Sequence, residues 1–288
     1  MSFVTDTRAR LADGARRRAA TSGRPPRLAY THYFIETEGL HSRIHLQNFY
    51  STFWPQVHEP ATAHITIFGA EGRRQGATTR SLPPFGSLFL ELSDLLPKLD
   101  STATEGLVAI DLEPAPAVAA QFHELPDADR VEVKTPFWMA YYDGDENFMY
   151  VHSIDVLGGE VFGAPALVRW AMTRTVGHGE RWRSWRLLEA DRLADLQIVC
   201  LNTSPDARRS TVGVYSSDDA VTMYEAEVEL APRAVARVRV PSDELSTWPQ
   251  RHPETRHVRV GMDPLMTANG KPYVMMRYTD GPPSLHHG

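Results

Sequence analysis

The feature that most constrains this chain is a period-two alternation of apolar and polar residues in short segments that end at proline- or glycine-containing turns. In residues 43–47, Ile44 and Leu46 alternate with three polar side chains, and residues 61–72 and 86–96 continue in the same way. This period is that of a half-buried β-strand. Many short strands separated by regular turns predict an all-β protein built from antiparallel sandwiches.

The order of these segments repeats along the chain. The run "SRIHLQN" has a counterpart in "DLQIVCLN", "GLVAIDLEP" in "RHVRVGMDP", and "TPFWMAYYDGD" in "KPYVMMRYTDG". We therefore expect two tandem antiparallel β-sandwich lobes related by internal duplication. The expected boundaries are a flexible Arg-rich tail at 1–27, a first lobe at 28–157, a linker at 158–179 and a second lobe at 180–288.

Each copy ends in an apolar strand, an Asp-Gly turn and a return toward histidine. The two phrases are "FWMAYYDGDENFMYVHSID" and "YVMMRYTDGPPSLHHG". Asp-Gly suits such a turn because both residues tolerate a positive φ. In this alignment His152 matches His286, or His287 with one gap moved. Packing of the lobes about a pseudo-twofold axis would then bring these histidines together.

A histidine cluster at that place has three interpretations, which the sequence leaves open. Imidazole is a common ligand of transition metals, an acid or base in catalysis, and often only a polar group that caps a strand. The leading hypothesis is a metal or small-ligand site near the lobe interface, with zinc or iron as the metal and metal-assisted chemistry on a small polar substrate. Its candidate ligands are His152, His286, His287 and His32. The candidate supporting carboxylates are Asp155 and Glu36.

The alternative hypothesis is a non-catalytic binding or assembly module. Residues 47–60 form an insertion that is absent from the second copy, and four aromatic residues lie in it: Phe49, Tyr50, Phe53 and Trp54. Aromatic residues in a loop bind a small molecule or carbohydrate, contact a partner subunit in a homo-oligomer, or close the end of a sandwich. The pattern does not choose among these roles, nor does it decide whether the protein is an enzyme.

Charge and composition disfavour other classes of function. The net charge is −6, although residues 1–27 contain seven arginines and two aspartates, so we expect no general affinity for nucleic acid. No apolar stretch reaches the roughly 18 residues of a membrane span, and the amino terminus lacks the apolar core of a secretion signal. With a single cysteine, Cys200, the sequence predicts a soluble cytoplasmic protein.

Overall fold

The computed structural model describes residues 29–122, 124–125, 135–144, 147–153, 155–157, 182–263, 265–267 and 271–287. The predicted tail at 1–27 and the predicted linker at 158–179 lie outside these residues. Among the described residues, no helix is long and apolar enough to cross a bilayer.

The first lobe contains two antiparallel sheets with the strand orders β4-β3-β6-β1-β9 and β5-β2-β7-β8. Its strands are β1 (Ala29–Ile35), β2 (His41–Gln47), β3 (Ala61–Gly69), β4 (Arg74–Leu82), β5 (Ser87–Glu91), β6 (Glu105–Glu113), β7 (Trp138–Tyr142), β8 (Phe148–His152) and β9 (Asp155–Val156). Its helices are α1 (Tyr50–Phe53), α2 (Leu92–Lys98) and α3 (Pro116–Phe122).

The second lobe contains the sheets β10-β16-β13-β14 and β15-β12-β17-β18, with β11 also paired to β16. Its strands are β10 (Trp182–Arg183), β11 (Leu188–Glu189), β12 (Leu193–Leu201), β13 (Arg208–Ser216), β14 (Thr222–Leu230), β15 (Val235–Arg239), β16 (His257–Asp263), β17 (Tyr273–Tyr278) and β18 (Pro283–His287). A 3₁₀ helix (Ala190–Arg192) precedes β12, and α4 (Ser242–Arg251) follows β15. The predicted all-β sandwich class is confirmed.

The two lobes share one strand order, since β12 to β18 occupy the places of β2 to β8. One side-chain interaction recurs as well. The amide of Asn48, just after β2, donates to the carbonyl of Leu82 at 3.3 Å. The amide of Asn202, just after β12, donates to the carbonyl of Leu230 at 3.2 Å. Descent of the lobes from a duplicated gene stays a prediction.

The alternation in the sequence determines which side chains enter each core. In β2, Ile44 and Leu46 are fully buried, whereas Arg43 and His45 are only partly covered. Successive side chains of a strand point to opposite faces of its sheet. Each lobe therefore encloses an apolar cluster between the inward faces of its two sheets.

The outward face of the β15-β12-β17-β18 sheet is covered by the first lobe. Five of its side chains belong to the apolar cluster of the first lobe rather than to that of the second: Val199, Leu201, Val235, Tyr273 and Leu285. The lobes are thus joined through a continuous apolar contact.

Backbone groups of the β3–β4 turn meet the second lobe directly. The amide of Val235 donates to the carbonyl of Ala70 at 2.8 Å. Gly72 has a φ of +84°, and a Cβ atom there would lie 2.1 Å from the carbonyl oxygen of Pro232. Only glycine fits this approach, because both the backbone conformation and the space exclude a side chain.

Polar side chains add to the contact between the lobes. Arg237 Nε lies 2.7 Å from Glu105 Oε2, which also accepts from the Tyr33 hydroxyl at 2.8 Å. Thr267 Oγ1 donates to Asp155 Oδ2 at 2.6 Å. The bonds of Arg237 and Thr267 fix the lobes against one another, since each joins a residue of the second lobe to one of the first.

Candidate functional site

The structure brings together two of the predicted histidines, His152 and His287. His152 ends β8 opposite Trp138, and His287 ends β18 opposite Tyr273, so the ladders place them at equivalent positions in the two lobes. His152 Nδ1 lies 3.5 Å from His287 Nε2, and the ring centroids are 4.7 Å apart at an angle of 86°. The two imidazoles meet where β8 and β18 approach each other.

His286 does not join this pair. It precedes His287 in β18, and neighbouring residues of a strand point to opposite faces. His286 is buried, and its burial lowers the pKa of the imidazole to about 4. The structure therefore decides between the two sequence alignments in favour of His287 as the counterpart of His152.

His32 lies behind the pair, fully buried in β1. Its Nε2 lies 3.1 Å from the carbonyl of Val151, and its Nδ1 lies 3.1 Å from the carbonyl of Tyr33. Its Nδ1 lies 2.8 Å from the Tyr141 hydroxyl, and its ring lies 4.7 Å from that of Tyr273. Burial is the main cause that lowers the pKa of His32 to about 3. Both ring nitrogens thus face protein groups.

The candidate carboxylates lie apart from the histidine pair. Asp155 binds Thr267 and the backbone amide of Val156. Glu36 directly follows β1. Its carboxylate accepts from the amide of Ser42 at 2.8 Å.

The arrangement does not supply a metal centre. Structural and catalytic zinc ions take three or four protein ligands. In the ranges that the structure describes, no group of three or more histidine, cysteine, aspartate or glutamate side chains is placed to hold a metal ion. The predicted zinc or iron therefore has no support from the geometry.

Most of the aromatic insertion closes the end of the first sandwich. Tyr50 and Trp54 are buried, and the Tyr50 hydroxyl donates to the carbonyl of Leu112 at 2.9 Å. Phe49 is half-buried. Phe53 is 44% exposed, which makes it the most accessible of these four aromatic side chains.

A different surface carries most of the exposed aromatic residues described in the first lobe. It is the outward side of the β5-β2-β7-β8 sheet, which we call the aromatic face. It is defined by His45, Phe89, Trp138, Phe148, Tyr150 and His152. Three of them are strongly exposed: Phe89 at 61%, Tyr150 at 53% and Trp138 at 41%.

One row of rings crosses the whole sheet. Phe89 lies opposite His45, His45 opposite Trp138, and Trp138 opposite His152. The centroids of His45 and Phe89 are 4.6 Å apart, and those of Trp138 and His152 are 5.3 Å apart. Through its contact with His152, His287 extends this row into the second lobe.

A second group of rings lies beside the row. The rings of Phe148 and Tyr150 are 6.1 Å apart and inclined by only 18°. Tyr150 also contacts His45 edge-on at 5.3 Å, across the small residue Ala140, which is fully buried. The two groups therefore form one continuous surface.

The charges beside the aromatic face are already paired. Arg43 forms an ion pair with Glu91, and its guanidinium lies 5.2 Å from the centre of the Tyr142 ring. The Tyr142 hydroxyl donates to Glu91 at 2.7 Å. Glu91 is thus occupied by two donors and is not placed as a free acid or base.

The equivalent face of the second lobe is the one that the first lobe covers. The ladders give these pairs of equivalent positions: His45 and Val199, Gln47 and Leu201, Ser87 and Val235, Trp138 and Tyr273, Tyr150 and Leu285. Aliphatic side chains dominate the covered face, whereas rings and polar groups dominate the open one. The predicted pseudo-twofold packing was wrong in this respect, because the two equivalent faces have different surroundings.

Comparison with known proteins places this chain in no family. No family model matches it, and no curated protein matches it. Solved structures with some similarity include a β-glucuronidase from glycoside hydrolase family 2, at 10% identity with a TM-score of 0.19. Another is the exo-chitosanase CsxA of Amycolatopsis orientalis, at 12% identity with a TM-score of 0.16.

The matches cover most of this chain but only a small part of each enzyme. They cover 91% and 80% of this chain but only 25% and 24% of the two enzymes. The chain thus spans about a quarter of the length of either enzyme. TM-scores this low carry no information about ligand or activity, so any function must be argued from the chain itself.

The aromatic face was within reach of sequence reasoning. In the segment "NFMYVH" the alternation places Phe148, Tyr150 and His152 on one face and Met149 and Val151 on the other. An outward strand face normally carries charged or small polar residues. Rings at all three outward positions of this strand were the signal for a surface that contacts something other than water.

Proposed function

We propose that this protein is a non-catalytic recognition protein that binds the sugar rings of a saccharide on its aromatic face. The observation that carries this proposal is the contrast between equivalent faces. The aliphatic face of the second lobe is covered by protein, while the aromatic face of the first lobe is open. This face replaces the loop 49–54 as the contact surface in the alternative that the sequence suggested.

The exposed area supports a binding role. Phe89, Trp138, Phe148 and Tyr150 are between 38% and 61% exposed. Since an aromatic side chain has about 150–250 Å² of surface, together they expose roughly 400 Å². Apolar patches of this size on a monomer commonly mark a functional contact.

The chemistry of the face favours a reversible ligand with a polar edge. Where the second lobe has Val199 and Leu285, the first has His45 and Tyr150. Tyrosine, tryptophan and histidine combine an apolar body with a polar tip. A pyranose ring has the complementary form, with C–H groups on its faces and hydroxyl groups at its edge.

The size of the face also favours a saccharide over a protein partner. Neighbouring strands lie about 4.8 Å apart, so the rings of the row repeat at about that spacing. The four exposed aromatic side chains contribute roughly 400 Å² of accessible surface. A stable protein interface buries about 800 Å² on each partner. A row of rings with this lateral spacing, by contrast, matches the repeat of a short chain of sugar units.

Nucleic acid fits less well. Single-stranded nucleic acids also stack on aromatic side chains, but their binding needs a groove of unpaired positive charge along the backbone. On this surface Arg43 is neutralised by Glu91. The net charge of the whole chain is −6.

A panel of soluble neutral and acidic polysaccharides tests the proposal by affinity electrophoresis. We expect retardation of the full chain by at least one polysaccharide, and a loss of affinity of about tenfold or more in Trp138→Ala and Tyr150→Ala, as for central aromatic contacts in general. Trp185→Ala is the matched control, because Trp185 is a 73% exposed tryptophan of the second lobe.

Two results would contradict the proposal. One is retardation that is equally strong in Trp138→Ala and in the wild type. The other is a concentration-dependent dimer that Trp138→Ala abolishes, since this would assign the face to protein association. Circular dichroism of each variant excludes unfolding as the cause.

A further inference from the structure

The row of rings on the aromatic face has an internal period. Its four members lie on the neighbouring strands β5, β2, β7 and β8, each opposite the next: Phe89, His45, Trp138 and His152. Phe89 is 61% exposed and Trp138 is 41% exposed, whereas the two histidines are half-buried. A strongly exposed aromatic ring therefore alternates with a less exposed imidazole across the sheet.

This period equals two strand spacings. Neighbouring strands lie about 4.8 Å apart, so the backbone positions of Phe89 and Trp138 are about 10 Å apart, with His45 between them. The ring centres of His45 and Phe89 are 4.6 Å apart, and those of Trp138 and His152 are 5.3 Å apart. The row thus offers two stacking positions that are separated by one intermediate position.

An extended chain of pyranose units has the same two-unit period. When both bonds of each linkage are equatorial, as between β-1,4-linked glucose units, each unit advances the chain by about one strand spacing and is turned over relative to the last. Alternate units then present the same C–H face to one side of the chain. A chain with an axial bond in each linkage, such as α-1,4-linked glucose, curves instead and does not keep successive units on one straight row.

The direction along the strands fits an extended chain less well. Of the four strands in this sheet, β8 alone has rings at all its outward positions. There the ring centres of Phe148 and Tyr150 are 6.1 Å apart, which is longer than one strand spacing. On β2 and β7 this direction meets Arg43, which is paired with Glu91, and the buried Ala140. The continuous line of rings is the one across the strands.

We infer that the aromatic face binds a linear saccharide of β-1,4-linked pyranose units that lies across the strands along this row, with every second unit stacked on Phe89 or Trp138. This inference rests on the proposed function and narrows its ligand to chains with equatorial linkages. The intervening units lie over His45 and His152. Rotation about the glycosidic bonds lets the chain follow the twist of about 20–25° between neighbouring strands.

Calorimetric titration of the full chain with short oligosaccharides of increasing length tests the linkage. One set is β-1,4-linked and consists of glucose, xylose, mannose or N-acetylglucosamine units, and the other is α-1,4-linked glucose. We expect at least one β-1,4-linked series to bind about tenfold more tightly than the α-1,4-linked series, because the curved chain reaches only one of the two exposed rings. Tightest binding of the α-1,4-linked series would overturn the inference.

The dependence on length tests the spacing of the two stacking positions. A disaccharide reaches only one of them, so Phe89→Ala should leave most of its binding intact through Trp138. A trisaccharide reaches both, so Phe89→Ala and Trp138→Ala should each lower its affinity about tenfold. Phe53→Ala is the matched control, because Phe53 is a 44% exposed phenylalanine of the same lobe outside the aromatic face. An undiminished affinity of Phe89→Ala for the trisaccharide would overturn the inference.

Phe148→Ala tests the direction of the chain. Phe148 lies on β8 away from the row, so its substitution should weaken trisaccharide binding less than Phe89→Ala does. A large loss in Phe148→Ala together with no loss in Phe89→Ala would place the ligand along β8 and would contradict the inferred direction. Circular dichroism of each variant shows whether it is folded.

The same titrations separate this inference from the proposed function. If the two linkage types bind equally and Trp138→Ala weakens both, the aromatic face is a saccharide site and only the inferred linkage is wrong. The same holds if no β-1,4-linked series binds while the polysaccharide panel still shows binding that depends on Trp138. If Trp138→Ala weakens the binding of no saccharide, the proposed function itself fails, and the inference fails with it.

Discussion

Lowering the pH from 7 to 5 protonates the histidines of the unfolded chain but leaves His32 neutral in the folded protein. Its ordinary pKa is about 6.5. In the folded state the pKa of His32 is about 3, chiefly because the imidazole is buried, with the Val151 carbonyl and the Tyr273 ring beside it. His286 behaves in the same way, with a pKa of about 4.

Proton linkage gives the direction of the change in stability with pH. Below pH 6.5 the unfolded state binds more protons than the folded state at these two positions, so the free energy of unfolding falls as the pH falls. The contribution of these two neutral histidines to the free energy of unfolding is fully present above about pH 6.5. It decreases as the pH falls, until the pKa of the folded state is reached. At pH 5, about 1.5 units below the ordinary pKa of histidine, the lost free energy of unfolding is about 2 kcal/mol for each histidine. For His32 and His286 together we expect a loss of roughly 4 kcal/mol between pH 7 and pH 5.

Urea denaturation at pH 7, 6 and 5 measures this loss. The decisive quantity is the dependence of the unfolding free energy on pH, so a variant that is already less stable at pH 7 still gives an answer. His32→Gln should reduce the loss of stability between pH 7 and pH 5 by about 2 kcal/mol. His58→Gln, at an exposed histidine, controls for the substitution itself. If His32→Gln keeps the whole pH dependence of the wild type, then His32 is not a buried neutral group and the account of the lobe contact around it fails.

Four further substitutions test the packing. Gly72→Ala should destabilise the fold by more than the cost of a positive φ alone, which is about 1–2 kcal/mol. Gly144→Ala is the control in thermal unfolding, because Gly144 also has a positive φ but a Cβ atom there would have nothing within 4 Å. Asn48→Ala and Asn202→Ala should each cost about 1–3 kcal/mol, because each leaves buried carbonyls without a donor. An unchanged unfolding free energy of either variant in chemical denaturation would contradict this role of its amide. Trp54→Ala should cost about 3–5 kcal/mol of stability as a buried ring is lost, and an undiminished unfolding free energy would show that the ring does not close the sandwich.

The fold could be predicted from the sequence because its main signal is local. The alternation around Ile44 and Leu46 gives the strand type and the inward face, and the repeated order of such segments gives two similar lobes. The contact between His152 and His287 followed from the same repeat. The choice between His286 and His287 did not, since a shift of one residue in register moves a side chain to the opposite face of its sheet.

The remaining features of the candidate site depend on which surfaces the lobes cover. The alternation of apolar and polar residues carries no information about this. Val199 and His45 occupy equivalent outward positions, yet one lies under the first lobe and the other faces solvent. His32 resembles a ligand in the sequence and is instead enclosed through its contact with Tyr273 of the other lobe. Such contacts join residues far apart in the chain, so only the assembled structure reveals them.

The aromatic face is the centre of this account, and hydroxyl-radical footprinting of the full chain tests it most directly. The oxidation rates of Trp138, Tyr150 and Trp185 are compared in the absence and in the presence of a saturating oligosaccharide that the full chain binds. The account predicts protection of Trp138 and Tyr150, with Trp185 reacting as before. Unchanged oxidation of Trp138 under conditions in which the oligosaccharide is bound would contradict it.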